Sequence, residues 1–204
     1  MNSMTNWTGK SGKNWFDPLN WSHGVPSKDL HAYIPVNPEG ECFPLISDKL
    51  CVDFTLKNDG KIEIEGLMVI KETGILQNDG FIENLETGTF VNSGNLINIG
   101  EFINSGTLDN NKIFTNSGTL HNEGLIENEN TIVNLGALLN TGMIDNFSLI
   151  ANSGTFENFN ILENKRDGKI EDKGFITEEL INDFSSKEYS PLVLKDFVKL
   201  NISS

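Results

Sequence analysis

Asn92-Ser93-Gly94-Asn95-Leu96-Ile97-Asn98-Ile99-Gly100-Glu101-Phe102-Ile103-Asn104-Ser105-Gly106-Thr107-Leu108-Asp109 decides the fold. Three times in succession it spells Asn-x-Gly-x-Φ-x, where Φ is apolar. Working outward, glycine slots can be set every six residues from Gly88 to Asn160, and nine of the thirteen hold glycine. Lys112, Asn130, Ser148 and Asn160 fill the rest. Asparagine stands two places before the slot in twelve of the thirteen, and an apolar residue stands two places after it every time, from Phe90 to Leu162.

An even period preserves parity in extended chain, so Asn, Gly and Φ share one face and the three x positions share the other. A helix cannot sort them this way. Gly and Asn at such density also weaken a helix, and both tolerate left-handed backbone, so a tight corner of that conformation is expected near each Asn-x-Gly. Strands of three or four residues between corners are too short to stand alone and must stack in register, coil on coil. Equivalent asparagines would then form amide ladders along the axis. The expected fold is all-β, a single-stranded parallel β-helix, or β-solenoid, closed by caps at both ends.

The x positions predict two hexads per coil. Residues one past the slot run Ile113, Leu125, Ala137, Leu149 and Ile161 in one series, and Thr107, Thr119, Thr131, Met143 and Thr155 in the other. On a twelve-residue coil the first series, joined by Leu135, Phe147 and Phe159, forms an apolar stripe on the outside of one sheet. A stripe of that size predicts a self-association interface. The opposite face would carry Ser105-Gly106-Thr107, Ser117-Gly118-Thr119 and Ser153-Gly154-Thr155, hydroxyl ranks like those of ice-binding solenoids, interrupted by Glu129 and Met143.

Gly60, Gly66, Gly74 and Gly80 carry the pattern upstream with some eight-residue steps, read as hexads with a longer corner or a two-residue bulge. The organisation expected is a cap over 1–51, the solenoid over 52–174 and a closing cap or assembly segment over 175–204. A formal net charge of -14 without any cluster of Lys and Arg argues against a nucleic-acid or anionic-lipid partner. No apolar run is long enough to span a membrane, and none precedes Trp7 as an uncleaved signal peptide would. Cys42 and Cys51 lie at a spacing that permits a disulfide in an oxidising compartment and matches no metal motif.

All three tryptophans fall early, in Trp7-Thr8-Gly9 and in Trp15-Phe16-Asp17-Pro18-Leu19-Asn20-Trp21-Ser22-His23-Gly24-Val25-Pro26. Such aromatic density predicts a plug, with Trp7, Trp15 and Trp21 over the open end of the first coil. A carbohydrate-stacking platform is the alternative. This block, followed by Ala32-Tyr33-Ile34-Pro35 and the Asn/Gly hexads, resembles the opening of secreted, autotransporter-like β-helix proteins of bacteria. The resemblance implies a right-handed parallel β-helix at the cell surface or outside the cell, with adhesion or matrix roles. The tail after residue 175 departs from it, with no match to a secretion or anchoring domain.

Chemistry is sparse. His23, His31 and His121 stand in unrelated contexts, and Glu101, Asp109, Glu127, Asp145, Glu157 and Glu163 scatter over x positions without a repeated pair. Asn58-Asp59-Gly60 and Asn78-Asp79-Gly80 read as turns rather than calcium loops, because neither continues into an oxygen-rich segment. No catalytic residue, metal or cofactor is expected. The leading expectation is a noncatalytic structural or cell-surface solenoid that self-associates, with a filament subunit as one form of that association. An adhesin or ligand-binding module for surface glycans or ice is second, and a carbohydrate-active enzyme third.

Overall fold

A computed structural model describes residues 3–178, and the chain folds as an all-β parallel solenoid with three sheets. Sheet 1 has nine strands, from Ser3–Asn6 to Lys169–Asp172; sheet 2 has eight, from Leu45–Ile46 to Phe175–Glu178; sheet 3 has seven, from Lys49–Val52 to Ile161–Asn164. Every coil visits them in that order, and all strand pairs in the sheets are parallel. The apolar repeat therefore sits inside a triangular prism. One column of it runs Leu76, Leu96, Phe114, Ile132, Ile150 on sheet 1, and every member is buried.

Three hexads, not two, make a coil. Asn92 stacks on Asn110 and Asn98 on Asn116, eighteen residues on, while early coils run to twenty, as between Asn58 and Asn78, or to twenty-two, between Ile70 and Asn92. The extra two residues widen single corners at 71–74 and 85–88, each closed by a glycine amide, Gly74 N to Lys71 O and Gly88 N to Leu85 O, both at 2.8 Å. A triangle follows from the length of a hexad. Four residues of strand and two of corner reach about 13 Å of wall, and three such walls enclose room for Phe90, Phe102 and Phe114, whose rings meet edge-on and tilted at 5.3 and 6.0 Å.

Glycine fills the corner slot for a reason other than the one its backbone freedom suggests. No slot glycine of the repeat has positive φ; among the described residues such backbone occurs only at Gly9, Gly12, Gly24, Glu41 and Arg166. What excludes a side chain is the coil below. A Cβ on Gly118 would be driven into the carbonyl oxygens of Gly100 and Ile99, and one on Gly136 into that of Gly118. The exceptions fall mostly at one corner: Lys112, Asn130 and Ser148 all lead from sheet 3 to sheet 1, where a single amide per coil, such as that of Glu129, reaches the asparagine carbonyl beneath. At most of the glycine corners leading out of sheets 1 and 2 two successive amides do so, as Ser117 N and Gly118 N do to Asn98 O.

Asparagine closes every strand from Thr89–Asn92 to Ile161–Asn164 with its side chain turned inward. Buried amides in the prism cost stability unless bonded, and here they bond each other. Asn58, Asn78, Asn98, Asn116, Asn134 and Asn152 form one column in which each Nδ2 donates to the next Oδ1 at 2.7–2.8 Å. Asn84 to Asn158 and Asn92 to Asn164 form two more. The same Nδ2 also reaches a backbone carbonyl of the coil ahead, as Asn116 does with Ala137 O at 2.8 Å. The first column ends on a carboxylate: Asp172 Oδ1 accepts from Asn152 Nδ2 and from the amide of Gly174.

The stack is under way before residue 52, because Leu30–Ile34, Leu45–Ile46 and Lys49–Val52 already pair with the coil that follows. It continues past residue 174 in Phe175–Glu178. The expected closing cap beyond Glu178 lies outside the described residues. At the amino-terminal end the three tryptophans, expected to form a plug, pack together. Trp7, Trp15 and Trp21 are buried in mutual contact, with centroids 4.7 to 6.3 Å apart. Trp7 Nε1 donates to Cys42 O and Trp21 Nε1 to Trp15 O.

Candidate interaction surface

The eighteen-residue coil redistributes the outer side chains. Ile113 and Leu149 lie on sheet 1, Leu125 and Ile161 on sheet 3, and Ala137 on sheet 2. Leu135, Phe147 and Phe159 occupy three different corners, following strands of sheets 1, 3 and 2 respectively. The single apolar stripe expected from a twelve-residue coil is therefore not formed. An alternation of twelve laid on a coil of eighteen instead makes sheet 1 alternate apolar and hydroxyl rungs, as Ile113, Thr131, Leu149 do, and sheet 2 likewise in Thr119, Ala137, Thr155, while sheet 3 runs Thr107, Leu125, Met143, Ile161. The hydroxyl ranks divide likewise, Thr107 to sheet 3, Thr119 and Thr155 to sheet 2 and Thr131 to sheet 1, so no flat Ser/Thr array assembles.

Burial of the three tryptophans likewise removes the aromatic platform a glycan would stack on. Cys42 and Cys51 are both free thiols. Cys51 sits at an outward position of Lys49–Val52 in register with Val69, whereas Cys42 belongs to the segment that receives Trp7, so the permitted disulfide is not made.

Two arrangements that a twelve-residue coil would have kept apart come together on the eighteen-residue one. Asp109, Glu127, Asp145 and Glu163, which looked scattered, stack directly in one column of sheet 3. Lys165 pairs with Asp145 and Glu163, and its ammonium is held above the usual lysine range chiefly by the hydrogen bond to Asp145. Among the described residues no group of His, Cys, Asp and Glu is placed to hold a metal ion. On sheet 2, His121 Nε2 lies 3.2 Å from Thr141 Oγ1, and its Nδ1 is 3.6 Å from Glu123. The order of groups imitates a hydrolytic triad, but the Thr141 hydroxyl is also within hydrogen-bonding distance of Asn122 O, at 3.2 Å. The amides of Thr141 and Gly142, which would stabilise an oxyanion, donate to the same carbonyl.

The surface that stands apart is the outside of sheet 1. Over five consecutive strands, from Ile75–Asn78 to Leu149–Asn152, its outward positions form two ladders. One runs Ile75, Asn95, Ile113, Thr131, Leu149; the other runs Gln77, Ile97, Thr115, Val133, Ala151. None of these ten side chains is charged. The matching five strands of sheet 2 carry Glu83, Glu101 and Glu157, and those of sheet 3 carry the four-acid column. Charge returns just outside the patch, at Lys57 beyond one end, at Lys169 and Glu171 beyond the other, and along its two bordering corners at Lys71, Glu72, Lys112 and Glu129 on the sheet 3 side and Asp79 on the sheet 2 side. Its flanking corner adds Ile99 and Leu135, 50% and 52% exposed, and Ile113 is itself 46% exposed.

No family model matches the chain, no curated protein does, and no solved structure does. The likeness to autotransporter-like proteins rests on the Trp-rich block and the repeat alone.

Proposed function

We propose that this protein is a noncatalytic structural β-solenoid that works by associating with its own kind, side by side, through the outer face of sheet 1. The observation carrying this reading is the ten-residue charge-free patch on a chain of net charge -14. Scattered surface apolar residues need no explanation, but a contiguous uncharged face does. Two like-charged rods repel everywhere except where they can meet without bringing carboxylates together, and among the three sheets that place is sheet 1. Five rungs about 4.8 Å apart, with the flanking corner, offer on the order of 500 Å² per copy. That total of about 1,000 Å² is at the low end of specific interfaces and fits an association strengthened by concentration or multiplicity.

Light scattering across a concentration series tests it. Wild type is expected to exceed the monomer mass at high micromolar concentration, and Leu149→Glu, which places a charge on the patch, to remain monomeric. A wild-type protein that stays monomeric throughout refutes the proposal. So does an unchanged association in Leu149→Glu.

A further inference from the structure

The pattern on sheet 1 specifies how two copies would meet. Resting on the self-association just proposed, we infer that two solenoids pack antiparallel, about a two-fold axis that runs along the strand direction and passes over Ile113–Asn116, so that Ile113 meets Ile113 of the second copy.

Two flat faces can be related by a two-fold axis in only two simple ways. An axis along the rod keeps the rungs in step and reverses the strands. First and third residues of the same strand then oppose each other: Ile75 meets Gln77, Asn95 meets Ile97, Ile113 meets Thr115 and Thr131 meets Val133. Four of the five rungs set an apolar side chain against a polar one, and only Leu149 against Ala151 is matched. An axis along the strands reverses the rungs and keeps positions within them. Ile75 then meets Leu149, Asn95 meets Thr131, Ile97 meets Val133, and Ile113 and Thr115 each meet themselves. Apolar faces apolar and polar faces polar in all but the pair Gln77 and Ala151.

The same operation brings the flanking corners together. Ile99 falls opposite Leu135, the two most exposed apolar side chains beside the patch, and Ser117 falls opposite itself. At the limits of the patch Lys57 meets Glu171, opposite charges. The parallel arrangement finds no such partner for Ile99 or Leu135. The sorting arises from the chain's own arithmetic. A twelve-residue alternation on an eighteen-residue coil repeats every second rung, and such a sequence of rungs is its own mirror about the central one.

Thiol cross-linking separates the arrangements. In a background with Cys42→Ser and Cys51→Ser, single variants Ile113→Cys, Ile75→Cys and Leu149→Cys are treated with a bismaleimide whose reach matches the roughly 10 Å between stacked sheets. The antiparallel pair predicts covalent dimer from Ile113→Cys alone. It predicts dimer from mixed Ile75→Cys and Leu149→Cys, and at least tenfold less from either of those two alone, whose equivalent sites lie about 19 Å apart along the rod. Strong cross-linking of Ile75→Cys with itself and Leu149→Cys with itself overturns the antiparallel geometry and leaves self-association standing. A dimeric mass with none of these cross-links places the contact on another face, and overturns the inference too. A monomeric mass with none overturns both.

Discussion

Replacing Asn116 by alanine interrupts an amide column at its middle, and its cost can be worked out from the contacts. Asn116 is wholly buried; it accepts from Asn98 Nδ2 and donates to Asn134 Oδ1 and to Ala137 O, each at 2.8 Å. Three hydrogen bonds at about 1 kcal/mol net each come to about 3 kcal/mol. Asn98 keeps Gly100 O and Thr119 O, so its amide is not stranded. Asn134 Oδ1 loses the donor that satisfies it in the dry interior, which adds about 1–3 kcal/mol. The expected loss is about 4–6 kcal/mol, a large part of the 5–15 kcal/mol by which domains are ordinarily stable. Asn116→Asp, nearly identical in shape, should cost at least as much, since a carboxylate can accept from Asn98 but sets its second oxygen against Asn134 Oδ1 with a charge buried.

Urea unfolding followed by far-UV circular dichroism reports the sheets, and tryptophan fluorescence reports the plug alone, since all three tryptophans lie there. In a one-dimensional stack each coil contacts only its neighbours, so a lesion in the middle should also pull the two transitions apart. A loss below about 1 kcal/mol for Asn116→Ala, or an aspartate milder than the alanine, would show that the columns are passengers rather than the glue of the prism.

Gly118→Ala should be among the most damaging single changes, above about 3 kcal/mol, because its Cβ meets backbone rather than a side chain that can move, whereas Lys112→Ala in the equivalent slot of the tolerant corner stays within about 0.5 kcal/mol. Equal melting temperatures for the two would refute the stacking account of glycine. Glu127→Gln relieves like charges directly above and below it, and should raise stability by about 0.2–1 kcal/mol, less as salt is added; a fall in melting temperature would contradict it. Burial pushes the Glu63 carboxyl up, but hydrogen bonds from Lys61 and Lys13 outweigh it and leave it below the ordinary 4.5. A depressed folded-state value contributes stability above the ordinary range and loses it as pH falls through the depressed one. Thermal melts from pH 6 to 3 should therefore decline less steeply in Glu63→Gln than in wild type, and identical slopes would count against the pairing.

The inward half of the repeat could be read from sequence because parity needs no knowledge of the coil. Asn and Φ fall on one face whatever the number of hexads, and the buried columns follow. The coil size could not be read from the x positions, because their alternation of twelve records surface chemistry and not closure. The signals at eighteen were there: Lys112, Asn130 and Ser148 break the glycine rule at that interval, and Asp109, Glu127, Asp145 and Glu163 repeat it. Aromatic density pointed to burial of the three tryptophans, since three indoles so close together have few places to go but inward. The charge-free face of sheet 1 was invisible for a different reason: its distinction is the absence of charge on five strands eighteen to twenty residues apart, and an absence has no motif.

Each asparagine column has a direction, because every amide receives from the coil before and gives to the coil after. Asp172 receives and, ionised, gives nothing. A further asparagine set above it in the same column, whether from this chain or from another rod laid on its end, would find no proton to accept. The column thus has a chemical full stop, and its length is limited by the same hydrogen-bond grammar that lets it propagate.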